Sequence, residues 1–249
     1  MSLLTWQTAL AELVTARASD DTAQLGSAEG PSPTLQESTW LDAISSSAGF
    51  KLTCDVQRWW REFRIQQAAP LTLGALNAEW RALLMAEYIR RHGRPSSFFL
   101  REALPFLDLA NELAYDVAHI AALAAFERAM LRLGHALADN PDLAQVHELR
   151  GEGSIEADPL AEVVRFQAPA GQVLAAASRG LPFPAVEDQS YWILVAPGLS
   201  NLAASCTSAD VRLLQSIRAG TIDLPTDLEP TLVPAFQRLW SAGALRQTP

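Results

Sequence analysis

The chain has 249 residues, 49 % of them hydrophobic, a formal charge of −9 and two cysteines. That length suits one large domain or two small ones; two cysteines exclude a disulfide framework, and the acidic balance argues against a nucleic-acid binder, which carries a basic face. No apolar run reaches the roughly 20 residues that span a bilayer, and no basic flank precedes the apolar N-terminal stretch, so a cytoplasmic protein without a signal peptide is expected.

Leu3, Trp6, Leu10 and Leu13 recur at helical spacing and predict an opening amphipathic helix. Residues 18–38 are small and polar, with Gly26, Gly30, Pro31 and Pro33, and read as a connection. A helical stretch is predicted from Trp40 to about Gln67, with a break near Gly49. Another runs from Leu73 to about Arg91, with Leu73, Leu76, Trp80, Leu83 and Tyr88 pointing inward, and His92-Gly93-Arg94-Pro95 stops it. Ser96 or Ser97 can cap the next helix, which Pro105 bends or ends. Leu123, Phe126, Met130, Leu133 and Leu137 give the clearest helix, closed by Asn140-Pro141.

Residues 140–159 read as an interdomain linker. Beyond it the pattern changes. Glu162 to Gln167 alternates in part like a strand. Ser190 to Ala196 is an apolar run rich in aromatic and branched residues, Pro197 to Ser200 a turn, and Asn201 to Cys206 the returning strand of a hairpin. Thr207 and Asp210 cap a helix through Leu213, Leu214 and Ile217. A final helix from about Thr231 to Ser241 carries Leu232, Phe236, Leu239 and Trp240, with Pro234 in its first turn. The expected architecture is therefore α+β: an all-helical domain over residues 1–145, then a small winged-helix-like α/β domain over residues 158–249, a shape shared by peptide-recognition modules.

The sequence holds no nucleophile elbow, phosphate loop, Cys-x-x-Cys or His-Glu-x-x-His. Glu112, Asp116 and His119 share one helical face, but carboxylate-bridged metal bundles need a second such element and two further Glu residues. No catalytic residue and no metal-ligand set is expected. Trp59 and Trp60, near Arg58, Arg61 and Arg64, have two readings: a base-stacking surface, or one Trp in the core and the other partly exposed or in an interface, beside solvated arginines. Cys206 reads as a buried small hydrophobe. In the helix after Asp210, Arg212 and Arg218 are too few for the phosphate contacts that DNA requires.

One stretch resembles a known family. Tyr88 to Ser97, then Leu100 to Leu107 with Leu104-Pro105-Phe106-Leu107 at its end, then Tyr115 to Ala129 with Phe126-Glu127-Arg128-Ala129, are similar to the helical domain of the partner proteins of multinuclear non-heme iron-dependent oxidases. The order of a helical domain followed by a small domain matches as well. The Gly that usually precedes the Pro-Phe element is absent (Arg101-Glu-Ala-Leu-Pro105), and no Tyr-Arg-x-Asn element is clear around Phe63-Arg64. The resemblance implies a non-catalytic subunit that binds no cofactor itself; the iron belongs to the oxidase. Such partners hold the leader of a ribosomally made precursor peptide in their small domain and present its cysteine to the oxidase. The chemistry is of the 3-thiaglutamate type, cysteine β-carbon excision, or of the methanobactin type, oxazolone and thioamide formation; the long N-terminal extension favours the first.

On that expectation the leader pairs with Asn201, Leu202, Ala203, Ala204, Ser205 and Cys206 as an added strand and leans on Val233, Phe236, Gln237 and Trp240. Nine basic against four acidic residues between Lys51 and Arg101 suggest a surface complementary to an acidic oxidase, with Arg90, Arg91, Arg94, Phe98 and Phe99 as docking residues. The partners expected are thus the oxidase and the precursor leader, with neither nucleic acid nor membrane. A transcription regulator with a winged-helix tail and a scaffold without a peptide ligand stay open as alternatives.

Overall fold

A computed structural model of the chain describes residues 6–10, 13–14, 34–92, 99–113, 117–146, 153–220, 222–223 and 229–248. It is an α+β protein with a helical N-terminal part, as the sequence predicts, and it divides into two compact units. The first comprises residues 1–68 and 76–109, the second residues 69–75 and 110–249. The sequence reading placed a boundary at 145–158, between helices and strands. Packing instead groups the helix over Ile120–Asp139 with the strands, because its apolar face lies on a sheet.

In the first unit, α1 (Leu35–Ser46) starts at a capping box of Thr34 and Glu37, and α2 (Ala48–Ala68) follows after Ser47, close to the break expected at Gly49. The predicted helix from Leu73 to Arg91 is two helices. The short α3 (Pro70–Ala75) belongs to the second unit, and α4 (Ala78–Arg91) begins where Asn77 accepts the Trp80 N–H. Leu84, Met85, Tyr88 and Ile89 form the buried face of α4, while Leu83 is 50 % exposed rather than inward. Pro105 does not end its helix: α5 (Phe99–Leu113) runs through it, and Ala103, Phe106 and Leu107 are buried on either side. Their burial offsets the lost backbone donor.

A buried ion-pair cluster joins α2, α4 and α5. The Glu102 carboxylate accepts Arg61 Nε at 3.3 Å, Arg64 Nη2 at 3.5 Å and the Tyr88 hydroxyl at 2.5 Å. Arg61 also donates to the His92 carbonyl and lies over the Tyr88 ring. Burial, and then the hydrogen bond to Glu102, push the Tyr88 hydroxyl's pKa well up, so it stays a donor.

The second unit is built on two three-stranded antiparallel sheets. One has the order β5 (Ile222–Asp223), β1 (Ser154–Ala157), β6 (Leu245–Thr248); the other has β2 (Glu162–Phe166), β3 (Tyr191–Val195), β4 (Ala203–Cys206). Successive side chains of the central strand β3 enter two different cores. Ile193 and Val195 meet Val164, Phe166 and the face of α6 (Ile120–Asp139) made by Leu123, Phe126 and Leu133, together with Val173 of α7 (Ala170–Arg179). Leu194 meets Leu213, Leu214 and Ile217 of α8 (Ser208–Ala219) and Leu239 of α9 (Val233–Ser241). A strand buried on both faces reads as a continuous apolar run, which explains residues 191–195. Within this unit the buried Glu127 of α6 accepts the N–H groups of Leu71 and Thr72 at 2.6 and 2.9 Å, at the start of α3. Burial pushes its pKa up, opposed by those bonds. The glutamate of the family-like Phe126–Ala129 element is thus a tie between helices.

Candidate functional site

Strand β4 is an edge. Among the described residues it pairs with β3 alone, in the register Val195↔Ala203, Leu194↔Ala204, Ile193↔Ser205 and Trp192↔Cys206. The ladder begins where the Ala196 N–H donates to the Leu202 carbonyl at 3.0 Å. Antiparallel pairs alternate between bonded and non-bonded, so Ala204 and Cys206 exchange bonds with β3. Ala203 and Ser205 therefore direct their N–H and C=O groups outward, to the open side. Ala203 is half-buried on the core shared with α6, Cys206 is half-buried on the core shared with α9, and Ala204 and Ser205 are exposed.

Asn201 and Leu202 are not part of this strand. They close the turn from β3, and Leu202 adopts φ 58°, a left-handed conformation that a β-ladder does not accommodate. The same turn approaches the end of α9 closely. Gly198 donates to the Ala242 carbonyl at 2.9 Å, and a Cβ at Gly198 would meet that backbone at 2.9 Å.

Beyond β4, Thr207 and Asp210 form the predicted capping box of α8. Asp210 also accepts Arg238 of α9 at 2.7 and 3.0 Å. Burial alone would raise its pKa, but the Arg238 guanidinium and the Thr207 amide and hydroxyl outweigh it and hold the carboxyl below the ordinary range. The Cys206 thiol is pushed up to about 12, first by burial and then by the Asp210 charge, against the pull of Arg238. It is therefore a protonated thiol at neutral pH, not a nucleophile.

On α9, Ala235 and Leu239 are buried. Phe236 and Trp240 stack at 6.0 Å, half-buried on the Leu239 core, and Val233 and Gln237 are exposed beside them. Cys206, Phe236 and Trp240 thus rest on one core. The bond that ties α9 to the first turn of α8 is made by Arg238, about 100° around the helix from Gln237.

The expected docking residues fare differently. Arg90 and Arg91 end α4, and both bind Glu87, at 2.6–2.7 Å. Those bonds hold the Glu87 carboxyl down at about 2. Arg94 and Phe98 lie outside the described residues, and of Phe99 only its place at the start of α5 is described. Part of the basic surplus is internal, since Arg61 and Arg64 turn into Glu102.

Trp59 and Trp60 correct the reading that places one of them in the core. Neither is in the core: they are 55 % and 42 % exposed, while Arg61 is buried. Of the arginines near them, Arg61 and Arg64 turn into Glu102, away from a base-stacking surface. Position along the helix carried this signal: Cys54, Arg61 and Ile65 mark one face of α2 and Val56, Trp59, Trp60 and Phe63 the other.

His119 starts α6 at φ 68°. Its ring stacks on Phe183, and its Nε2 lies 2.9 Å from the Pro184 carbonyl. Asp116 lies outside the described residues, and among those described no group of three or more His, Cys, Asp or Glu residues is placed to hold a metal. Arg218 donates to the Ala161 carbonyl, and Arg212 and Arg218 are both exposed on α8. No helix of the described residues is long and apolar enough to cross a membrane. No protein-family model matches the chain, and no curated protein matches it in sequence.

Proposed function

We propose that this chain is a non-catalytic partner subunit that holds the leader of a ribosomally made precursor peptide and presents its cysteine to a multinuclear non-heme iron oxidase. The observation that carries the reading is the open β4 edge. Outward N–H and C=O groups at Ala203 and Ser205 offer an extended peptide main-chain bonds, and the small exposed side chains of Ala204 and Ser205 leave room for it. Phe236 and Trp240, on the same core as Cys206, supply apolar surface nearby. The helical resemblance over Tyr88 to Ala129 supports the oxidase as the second partner, cytoplasmic like the chain itself. Cysteine β-carbon excision stays slightly preferred over oxazolone and thioamide formation. The test is calorimetric titration of the full chain with a synthetic leader of the short Cys-containing peptide that this reading expects in a neighbouring reading frame. A saturable, one-to-one isotherm is expected. No heat of binding and no change in Trp fluorescence across the titration would refute the reading.

A further inference from the structure

The open edge of β4 leaves one of the second unit's two cores uncovered on that side. Cross-strand partners share a face of a sheet, so Val163, Leu194 and Ala204 form one row across β2, β3 and β4. Helices α8 and α9 pack on that face: Leu194, 4 % exposed, lies among Leu213, Leu214, Ile217 and Leu239. The cover stops one strand short, because Ala204, next in the row, is exposed. Cys206, two residues along on the same face, and Ala209 of α8 are half-buried on the same core. A side chain standing beyond Ala204 in this row would lie on the rim of a core already built. The neighbouring row on the opposite face runs Val164, Ile193 and Ser205 and ends in an exposed hydroxyl.

We infer that the protein selects its leader through one large apolar side chain seated opposite Ala204, an inference that rests on the leader pairing with β4. The backbone of Ala204 is bonded to Leu194, so in an antiparallel addition Ala204 meets the leader as a non-bonded pair, the kind that brings opposite side chains closest. The leader residue at that place shares the α8–α9 face. A leucine, isoleucine or phenylalanine there would extend the row of Val163, Leu194 and Ala204 onto the rim at Cys206 and Ala209. The leader residues on either side of it lie opposite Ala203 and Ser205, supply the main-chain bonds and turn their side chains to the other face. Ala204 is then the specificity-determining residue of the chain: its methyl group leaves the space that a longer side chain would occupy. Strand alternation confines the selection to this face of the leader.

Calorimetric titration of the full chain with an alanine scan of the same synthetic leader tests this subsite, and the scan needs no variant of the chain. One position should lose about tenfold to a hundredfold in affinity when its large apolar side chain becomes alanine, while its immediate neighbours change much less. Ala204→Leu, with an unchanged circular dichroism spectrum, should weaken the unsubstituted leader by about tenfold or more. It should also bind the leader with alanine at that one position more tightly than the wild-type chain does, because the chain now fills the space itself. Ser205→Leu, on the other face of the same strand, should show no such coupling to that position. A leader that is weakened by Ser205→Pro but indifferent to Ala204→Leu, or a scan whose large losses fall on the neighbouring positions, would overturn the subsite and leave the β4 edge standing. A leader that does not bind the wild-type chain overturns the subsite and the peptide-binding reading together.

Discussion

A proline at Ser205 separates the outer side of β4 from its inner side. The register leaves the Ser205 amide outside the β3–β4 ladder, and the residue before it, Ala204, is extended, the conformation that a following proline favours. Ser205→Pro should therefore leave the fold intact while removing one donor and placing a ring on the open edge. Ala203 carries the other outward amide, but Leu202 before it sits at φ 58°, so a proline there would strain the turn as well. One backbone bond lost is about 1 kcal/mol, and the ring's obstruction adds to it, so leader affinity should fall by about tenfold. Ser205→Ala keeps the amide and should bind as wild type. Ala204→Pro is the opposite control: its amide is within the ladder to Leu194, and its loss should cost about 1–3 kcal/mol of stability by urea denaturation. Calorimetry with the synthetic leader reads the first effect, and circular dichroism confirms the fold. A folded Ser205→Pro protein with full leader affinity would remove β4 as the binding edge and turn attention to β2.

Three further outcomes follow from the geometry. Glu102→Ala leaves Arg61 buried and uncompensated and should cost about 3–5 kcal/mol in urea denaturation, whereas replacing Arg61 and Glu102 together by Met should recover most of it; a loss below about 1 kcal/mol would mean the cluster is not stabilising. Asp210→Asn removes the cap carboxylate and its bond to Arg238 and should cost about 2 kcal/mol near neutral pH. Because the folded pKa of Asp210 is depressed, its stabilisation is present above the unfolded value of about 3.9 and is lost as pH falls through the folded one, so the gap between variant and wild type should close in acid. Cys206, with its thiol at about 12, should be alkylated at pH 8 about a thousandfold more slowly than an ordinary thiol, read by peptide-resolved mass spectrometry.

The parts of the fold legible in sequence are those where one local pattern decides the element. The step of Leu123, Phe126 and Leu133 gave α6, the Thr207–Asp210 box gave the start of α8, and residues 191–195 gave β3. The failures have local causes too. Amphipathicity in α6 shows that a partner exists but not which one, so its packing on the sheet was invisible. Strand β1 has four residues beside Gly153 and lies where a linker was read, because its pairing with β6 joins residues about ninety positions apart. Helix α7 was available from Val173, Ala176 and Ala177 followed by Gly180, but alanines give a faint apolar stripe. On the candidate edge, four of the six positions expected in the strand are there. Asn201 and Leu202 are not, since nothing local announces a left-handed leucine.

Helix α2 shows why composition misleads where a buried charge has a partner. Its inner face holds Phe50, Cys54, Arg61 and Ile65, and its outer face holds Leu52, Val56, Trp59 and Trp60. An apolar/polar reading of residues 58–64 assigns one tryptophan to the core and the arginines to solvent. The structure inverts that because Arg61 and Arg64 have a specific counter-charge in Glu102, 41 and 38 residues away in sequence. A buried arginine is tolerable only with such a partner, and no local window contains it. The inner face is thereby satisfied without the tryptophans, which are left with no core to enter. Two adjacent exposed tryptophans cost solubility and give nothing back to the isolated helix.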